Sequence, residues 1–189
     1  MYSVTARIKA LLLLALCSST VTASQFDLRV SDDAIQANLA VSSMSEDLLF
    51  GGGYFYKDEE EAINILDVDL HAQGRTALGN LPSNVNIGMI ASYMKEDAFK
   101  ASAVALGGRI NVNIPEAPGL SLETSFHFAP DVLAFGDSDS MTRAHVQANY
   151  RLIQSADVSA GYRLLRAGVK EAGHRTFESG LFLGLRLKF

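Results

Sequence analysis

Four groups of residues in this sequence have the types and spacing to do chemistry. Glu123, Ser125 and His127 occupy alternate positions, so on a strand they share one face, and they are the residue types of a hydrolytic triad. Alternate residues of one strand stand about 6.5 Å apart along it, which gives no guarantee that nucleophile, base and acid touch. No nucleophile-elbow motif surrounds Ser125. Asp67, Asp69 and His71 repeat the same spacing and could offer oxygen and nitrogen ligands to a cation, but convergence would need partners from neighbouring strands. A buried charge network is the reading that this spacing favours. Asp137-x-Asp139, with Asp131 nearby, lacks the Gly and distant Glu of a calcium loop and reads as a solvated outer loop open to partners. The triple Gly51-Gly52-Gly53 is followed by no Lys-Ser/Thr and no helical pattern, so close backbone approach inside a bent strand is expected rather than a phosphate cradle. No catalytic residue, metal or cofactor is assigned, and no enzymatic activity is expected.

The elements that would position these residues are strands. Ile35, Ala37, Leu39 and Val41 alternate with Gln36 and Asn38; Leu66, Val68, Leu70 and Ala72 oppose Asp67, Asp69 and His71. Leu120, Leu122, Phe126 and Phe128 oppose Ser121, Glu123, Ser125 and His127, and the pattern returns from Arg143 to Leu152 and from Val158 to Leu164. The weakest segment, 25–31, sets Phe26, Leu28 and Val30 against Asp27 and Arg29. Residues 73–84 read as a Gly/Pro/Asn-bearing connection. From Phe99 to Ile114 the apolar face moves from odd to even positions, which suggests a bulge near Ala103 to Gly108. Such alternation serves a soluble sandwich as well as a membrane barrel.

The two ends separate those possibilities. Arg7 and Lys9 precede an apolar run from Ala10 to Leu16 and then a small, polar stretch ending at Ala23, the layout of a secretory signal peptide over residues 1–23. A lipoprotein signal at Cys17 would want a small residue before it, where Leu16 stands. Cleavage would remove the only cysteine, and with it disulfides and thiol chemistry. It would also remove Arg7 and Lys9 and deepen the net charge of −5, which makes nucleic acid an unsuitable partner. At the other end, Leu181, Leu183, Leu185, Leu187 and Phe189 form an unbroken apolar face opposite Arg186 and Lys188. Gly184, Leu187 and Phe189 resemble the terminal recognition signal of bacterial outer-membrane barrels, although Phe182 stands where that signal carries a polar residue.

Together these features imply an all-β fold: an antiparallel up-and-down transmembrane β-barrel over residues 24–189. The segments 34–43, 48–57, 63–72, 84–94, 99–112, 120–129, 143–152, 156–166 and 178–189 plus the weak 25–31 give about 10 strands, with 8 possible. With ten, residues 129–142 and 167–177 form long outer connections, and 113–119 and 152–156 form short inner ones. Tyr54, Tyr56, Tyr93, Phe99, Phe128, Tyr150, Tyr162 and Phe177 lie near strand ends, where an interfacial girdle would sit. Asp67, Asp69, Glu123 and Glu178 should share the lumen with Arg109, Arg143, Arg151, Arg163 and Arg186 and pair there.

The segment Phe126-His127-Phe128-Ala129-Pro130-Asp131-Val132-Leu133-Ala134-Phe135-Gly136-Asp137-Ser138, with Ala148-Asn149-Tyr150-Arg151-Leu152 and Gly161-Tyr162-Arg163, resembles the YfaZ family of outer-membrane proteins. The resemblance implies a small, porin-like barrel in the cell outer membrane of Gram-negative bacteria, exported through a cleaved signal peptide. It supplies no activity and no site residues. The expected partners are outer-membrane lipid and lipopolysaccharide, and the barrel-assembly machinery through the C-terminal strand. A structural barrel with a side-chain-filled lumen is the expectation, with a narrow solute pore or a surface-loop binding protein as alternatives.

Overall fold

The computed structural model describes residues 24–43, 45–59, 62–96, 99–169 and 173–189; the expected signal peptide, including Cys17, lies outside them. In order, the strands are β1 (Ser24–Val30), β2 (Ala34–Ser42), β3 (Leu48–Lys57), β4 (Ile63–Leu78), β5 (Leu81–Glu96), β6 (Phe99–Asn113), β7 (Leu120–Ala129), β8 (Ala134–Gly136), β9 (Ser138–Ile153), β10 (Ala156–Val169) and β11 (Gly173–Lys188). Neighbours pair antiparallel around the ring, β7 with β9, and β11 returns to β1 with Gln25 opposite Lys188 and Val30 opposite Leu183. Ten strands thus close a barrel, and closure leaves no run of unpaired backbone donors and acceptors along an open edge.

The eleventh strand is an inset. β7 pairs with β6 only from Leu106 onward, and β8 takes its place along Ala101–Ala103. Asp137 stitches this inset down: its carboxylate accepts the Lys100 N–H at 2.8 Å, and its own N–H donates to the Lys100 carbonyl. A Cβ on Gly136 would lie 2.4 Å from that carbonyl oxygen, and its φ is 78°, so only glycine fits. Asp139 accepts a hydrogen bond from Ser140. The Asp137-x-Asp139 segment is therefore part of the wall rather than a free loop.

Strand parity follows the sequence. Leu122, Val146, Tyr150 and Leu187 face outward and are exposed, while Asp27, Glu123, Arg163 and Arg186 face inward and are buried. The weak segment β1 pairs fully on both edges. Four expectations are corrected. β4 and β5 run on through residues 73–84 and meet at the two-residue turn Gly79-Asn80, with Gly79 at φ 61°. The outer connections are likewise shorter than read, because β9 begins at Ser138, β10 ends at Val169 and β11 begins at Gly173.

The bulge is also elsewhere. β6 pairs with β5 and β7 without a break in register; β10 slips against β9 at Ala156/Asp157 and Gly168/Val169 and against β11, where Leu165 faces Glu178 and Arg166 faces Thr176. Phe177 and Glu178 are consequently both buried. Phe177 therefore leaves the expected outer girdle and stacks on Phe99 inside, with ring centroids 5.4 Å apart.

Candidate functional site

The functional candidate is the barrel interior, which changes character along its axis. At the end away from the chain termini it is apolar: Phe55, Ile63, Ile65, Met94, Met141 and Phe177 form one cluster. Ala101, Ala103 and Ala105 of β6 are the small residues against which these large ones pack. This explains the apparent change of face in β6: its inward positions stay odd throughout, but run from alanine to Arg109, Asn111 and Asn113. At the same end Lys57 meets Asp33 and Glu59 at 3.3 and 2.5 Å and reaches Glu178 at 3.4 Å beside the cluster, and Arg175 makes a bidentate pair with Glu96 at 2.7 and 2.8 Å.

Below it lies a belt of buried charge. Arg163 bonds Glu178 at 3.0 Å and Gln36 at 2.7 Å, with its guanidinium over the Phe55 and Phe182 rings. Arg143 grips Asp67 through two bonds of 2.6 and 2.7 Å, and Ser92 donates to the same carboxylate. Deeper, Glu123 gathers Arg186 at 3.1 Å and His145 at 3.1 Å, with Arg29 and Arg109 at 3.8 Å; Arg186 also holds Asp27 at 2.9 Å. Opposed charges at this burial contribute only while both partners are present.

A chain of four side chains crosses the same level. Asp69 lies 3.1 Å from Nδ1 of His71, the His71 and His127 Nε2 atoms are 2.9 Å apart, and Ser125 Oγ is 3.2 Å from Nδ1 of His127. With Asp69 a carboxylate, one set of tautomers satisfies all three bonds: Ser125 donates to His127, His127 to His71, and His71 to Asp69. The histidines sit on β4 and β7, and they meet because the intervening residues in register are Gly88 and Gly107. A Cβ on either glycine would come 2.0 Å from a backbone oxygen.

The sequence grouping of Glu123 with Ser125 and His127 is thus divided: His127 is oriented by Ser125 and His71, while Glu123 serves the arginines and His145. Asp67, Asp69 and His71 are also divided, Asp67 going to Arg143 and Asp69 to His71. Among the described residues, no group of three or more His, Cys, Asp or Glu side chains converges as metal ligands. Of the Gly51–Gly53 run, Gly51 and Gly53 face inward and leave room for the Asp69 and Asn38 side chains. Arg151 stands half-exposed near Asp157 at the mouth, and Arg109 is the least engaged member of the belt. Sequence reasoning did not place Asp27, Arg29 or His145 in the belt. Their signal was available, since Asp27 and Arg29 alternate with Phe26 and Leu28, and His145 shares the parity of Arg143.

At the end that carries the termini the interior opens into a vestibule of about 1150 Å³. Gln73, Asn84, Asn86, Asn111, Asn113 and Asn149 contribute to its walls, and Arg109, Glu123 and Arg186 reach its floor. A smaller cavity of about 100 Å³ lies within the belt.

A closed antiparallel barrel with an apolar exterior and a charged interior is the architecture of a transmembrane β-barrel. The chain belongs to the YfaZ family, whose model, described as YfaZ precursor, matches residues 4–189. No curated protein matches it. Among solved structures it is similar to the outer membrane channel DcaP of Acinetobacter baumannii, with 10% identity over 86% of this chain and 54% of that one and a TM-score of 0.43, so it spans about half of that channel's length. It is similar to the KdgM porin, with 9% identity, 89% and 99% coverage and a TM-score of 0.47. It is also similar to Neisserial surface protein A, with 15% identity, 88% and 94% coverage and a TM-score of 0.39.

Proposed function

We propose that this protein is a structural barrel of the outer membrane, exported through a cleaved signal peptide and closed to through-flow. The observation that carries this reading is the filling of the interior away from the termini, where Phe55, Met94 and Phe177 pack together and Glu178 bridges Lys57 and Arg163 beside them. An ion crossing there would have to displace close-packed side chains and break these buried ion pairs. The outward face, with Leu66, Val68, Ile87, Leu181 and Leu183 all strongly exposed, would sit against lipid and the acyl chains of lipopolysaccharide. The strand ending at Lys188 would be read by the barrel-assembly machinery before it pairs with β1. Within this reading the protein catalyses nothing and needs no cofactor.

The test is single-channel recording in planar bilayers with protein refolded in detergent. Silence at salt concentrations where porins conduct is expected, whereas discrete conductance steps would replace this reading with a narrow pore. Recovery of the native protein from an outer-membrane fraction, with gel mobility that shifts on heating, tests the location; recovery with soluble periplasmic proteins would refute it.

A further inference from the structure

The vestibule has features that a merely filled barrel does not require. Its floor sets Arg29, Arg109 and Arg186 against Asp27 and Glu123, and the smaller cavity that Arg109 also lines adds Asp69, whose one ion-pair partner among the described residues is His71. Arg186 is fully engaged, with bonds to both carboxylates. Arg109 is the guanidinium held least: its nearest anionic atom is 3.8 Å from Nε, and none of the described residues hydrogen-bonds it. An arginine offers five N–H donors in a rigid fork suited to carboxylate or phosphate. Arg109 places that fork where the vestibule meets the belt, since it lines both cavities.

The charges nearer the mouth are largely matched among themselves. Arg75 pairs with Glu46 at 3.0 Å, and Asp157 takes Lys188 at 2.5 Å and Arg151 at 4.0 Å; Asp47 stands on the β2–β3 connection at the rim. Between rim and floor the wall is amide. Asn86 lies opposite Arg109 in the β5–β6 register and Asn84 opposite Asn111. The side chains of Asn84 and Asn86 engage no described residue. Each such amide offers donors and acceptors together, which is what hydroxyl groups require.

We propose that the vestibule is a binding site for a small hydroxylated molecule bearing one anionic group, a carboxylate in the first instance, seated on Arg109 with its hydroxyls against Asn84, Asn86 and Asn111. A single anionic group matches the one guanidinium of the floor whose nearest carboxylate oxygen stands 3.8 Å away. The site opens at the end that carries the termini and the connection 113–119, the one read from the sequence as an inner turn, so on that reading it samples the periplasm. Its existence does not depend on whether the opposite half is closed.

The test is calorimetric titration of the full chain, refolded in detergent, with D-gluconate, D-glucose and glucose 6-phosphate in low-chloride buffer. Gluconate should bind at least about tenfold more tightly than glucose. Arg109→Gln should weaken gluconate about tenfold or more while leaving glucose unchanged, with Arg109→Lys in between, since a hydrogen bond to a charged group is of that size. Tighter binding of glucose 6-phosphate with the same dependence on Arg109 would support the site and assign it to phosphate. Asn86→Leu serves if Arg109→Gln loses its heat-shifted mobility, and should weaken gluconate several-fold. Equal binding of gluconate and glucose, no gluconate binding, or no effect of the substitutions that fold would overturn the proposal.

Discussion

The two halves of the barrel interior solve one packing problem in opposite ways. Away from the termini the space is filled by aliphatic and aromatic side chains against alanines, as in a soluble core; toward the termini it holds paired charges and then opens. The apolar half depends on shape, and the loss of a side chain there leaves a cavity. The charged half depends on pairing, and the loss of one partner strands another charge away from water. One barrel thus carries two kinds of sensitivity, separated along its axis.

The largest effect is expected from Glu123→Ala. It removes the carboxylate facing Arg29, Arg109, Arg186 and His145, and should cost about 3–5 kcal/mol in urea titrations of the refolded barrel. A loss below 1 kcal/mol would mean that water reaches the belt and the contrast between the halves is false. Phe177→Ala in the apolar half should cost about 3 kcal/mol through the cavity left beneath Phe99 and Arg175. The contrast sharpens with the double variant Asp67→Leu/Arg143→Met: either single change should cost about 3 kcal/mol, and the double about 1 kcal/mol or less. Additive losses would show that the two side chains act independently and would break their reading as a pair. Smallest of all, Arg75→Gln at the exposed Glu46 pair should move stability by no more than about 0.5 kcal/mol.

The same axial contrast explains what the sequence disclosed. Where the interior is charged, inward and outward residues differ in kind, so β7 and β9 could be read directly from Glu123, His127, Arg143 and Gln147. Even the weak β1 was legible, because Asp27 and Arg29 keep that parity. Where the interior is apolar, both faces are greasy and parity fades. The run Ala101-x-Ala103-x-Ala105 followed by Arg109 then imitated a slip in register that the pairing does not contain. A true slip, at Phe177 and Glu178, falls where an aromatic and an acid both belong inside, one to each half. The contact between His71 and His127 had no signature of its own, since it joins residues 56 apart through two glycines on the strands between them.

The seam between β1 and β11 has a consequence for how such a molecule could be re-cut. Gln25 and Lys188 face each other across it, so a short linker could join the ends and a new start could be made at the tight reversal Gly79-Asn80. That permutant would keep every neighbour in the ring while moving Phe189 from the tail to an internal position. It would separate the final shape of the barrel from the proposed recognition of its last strand, and so ask which of the two assembly in a membrane requires.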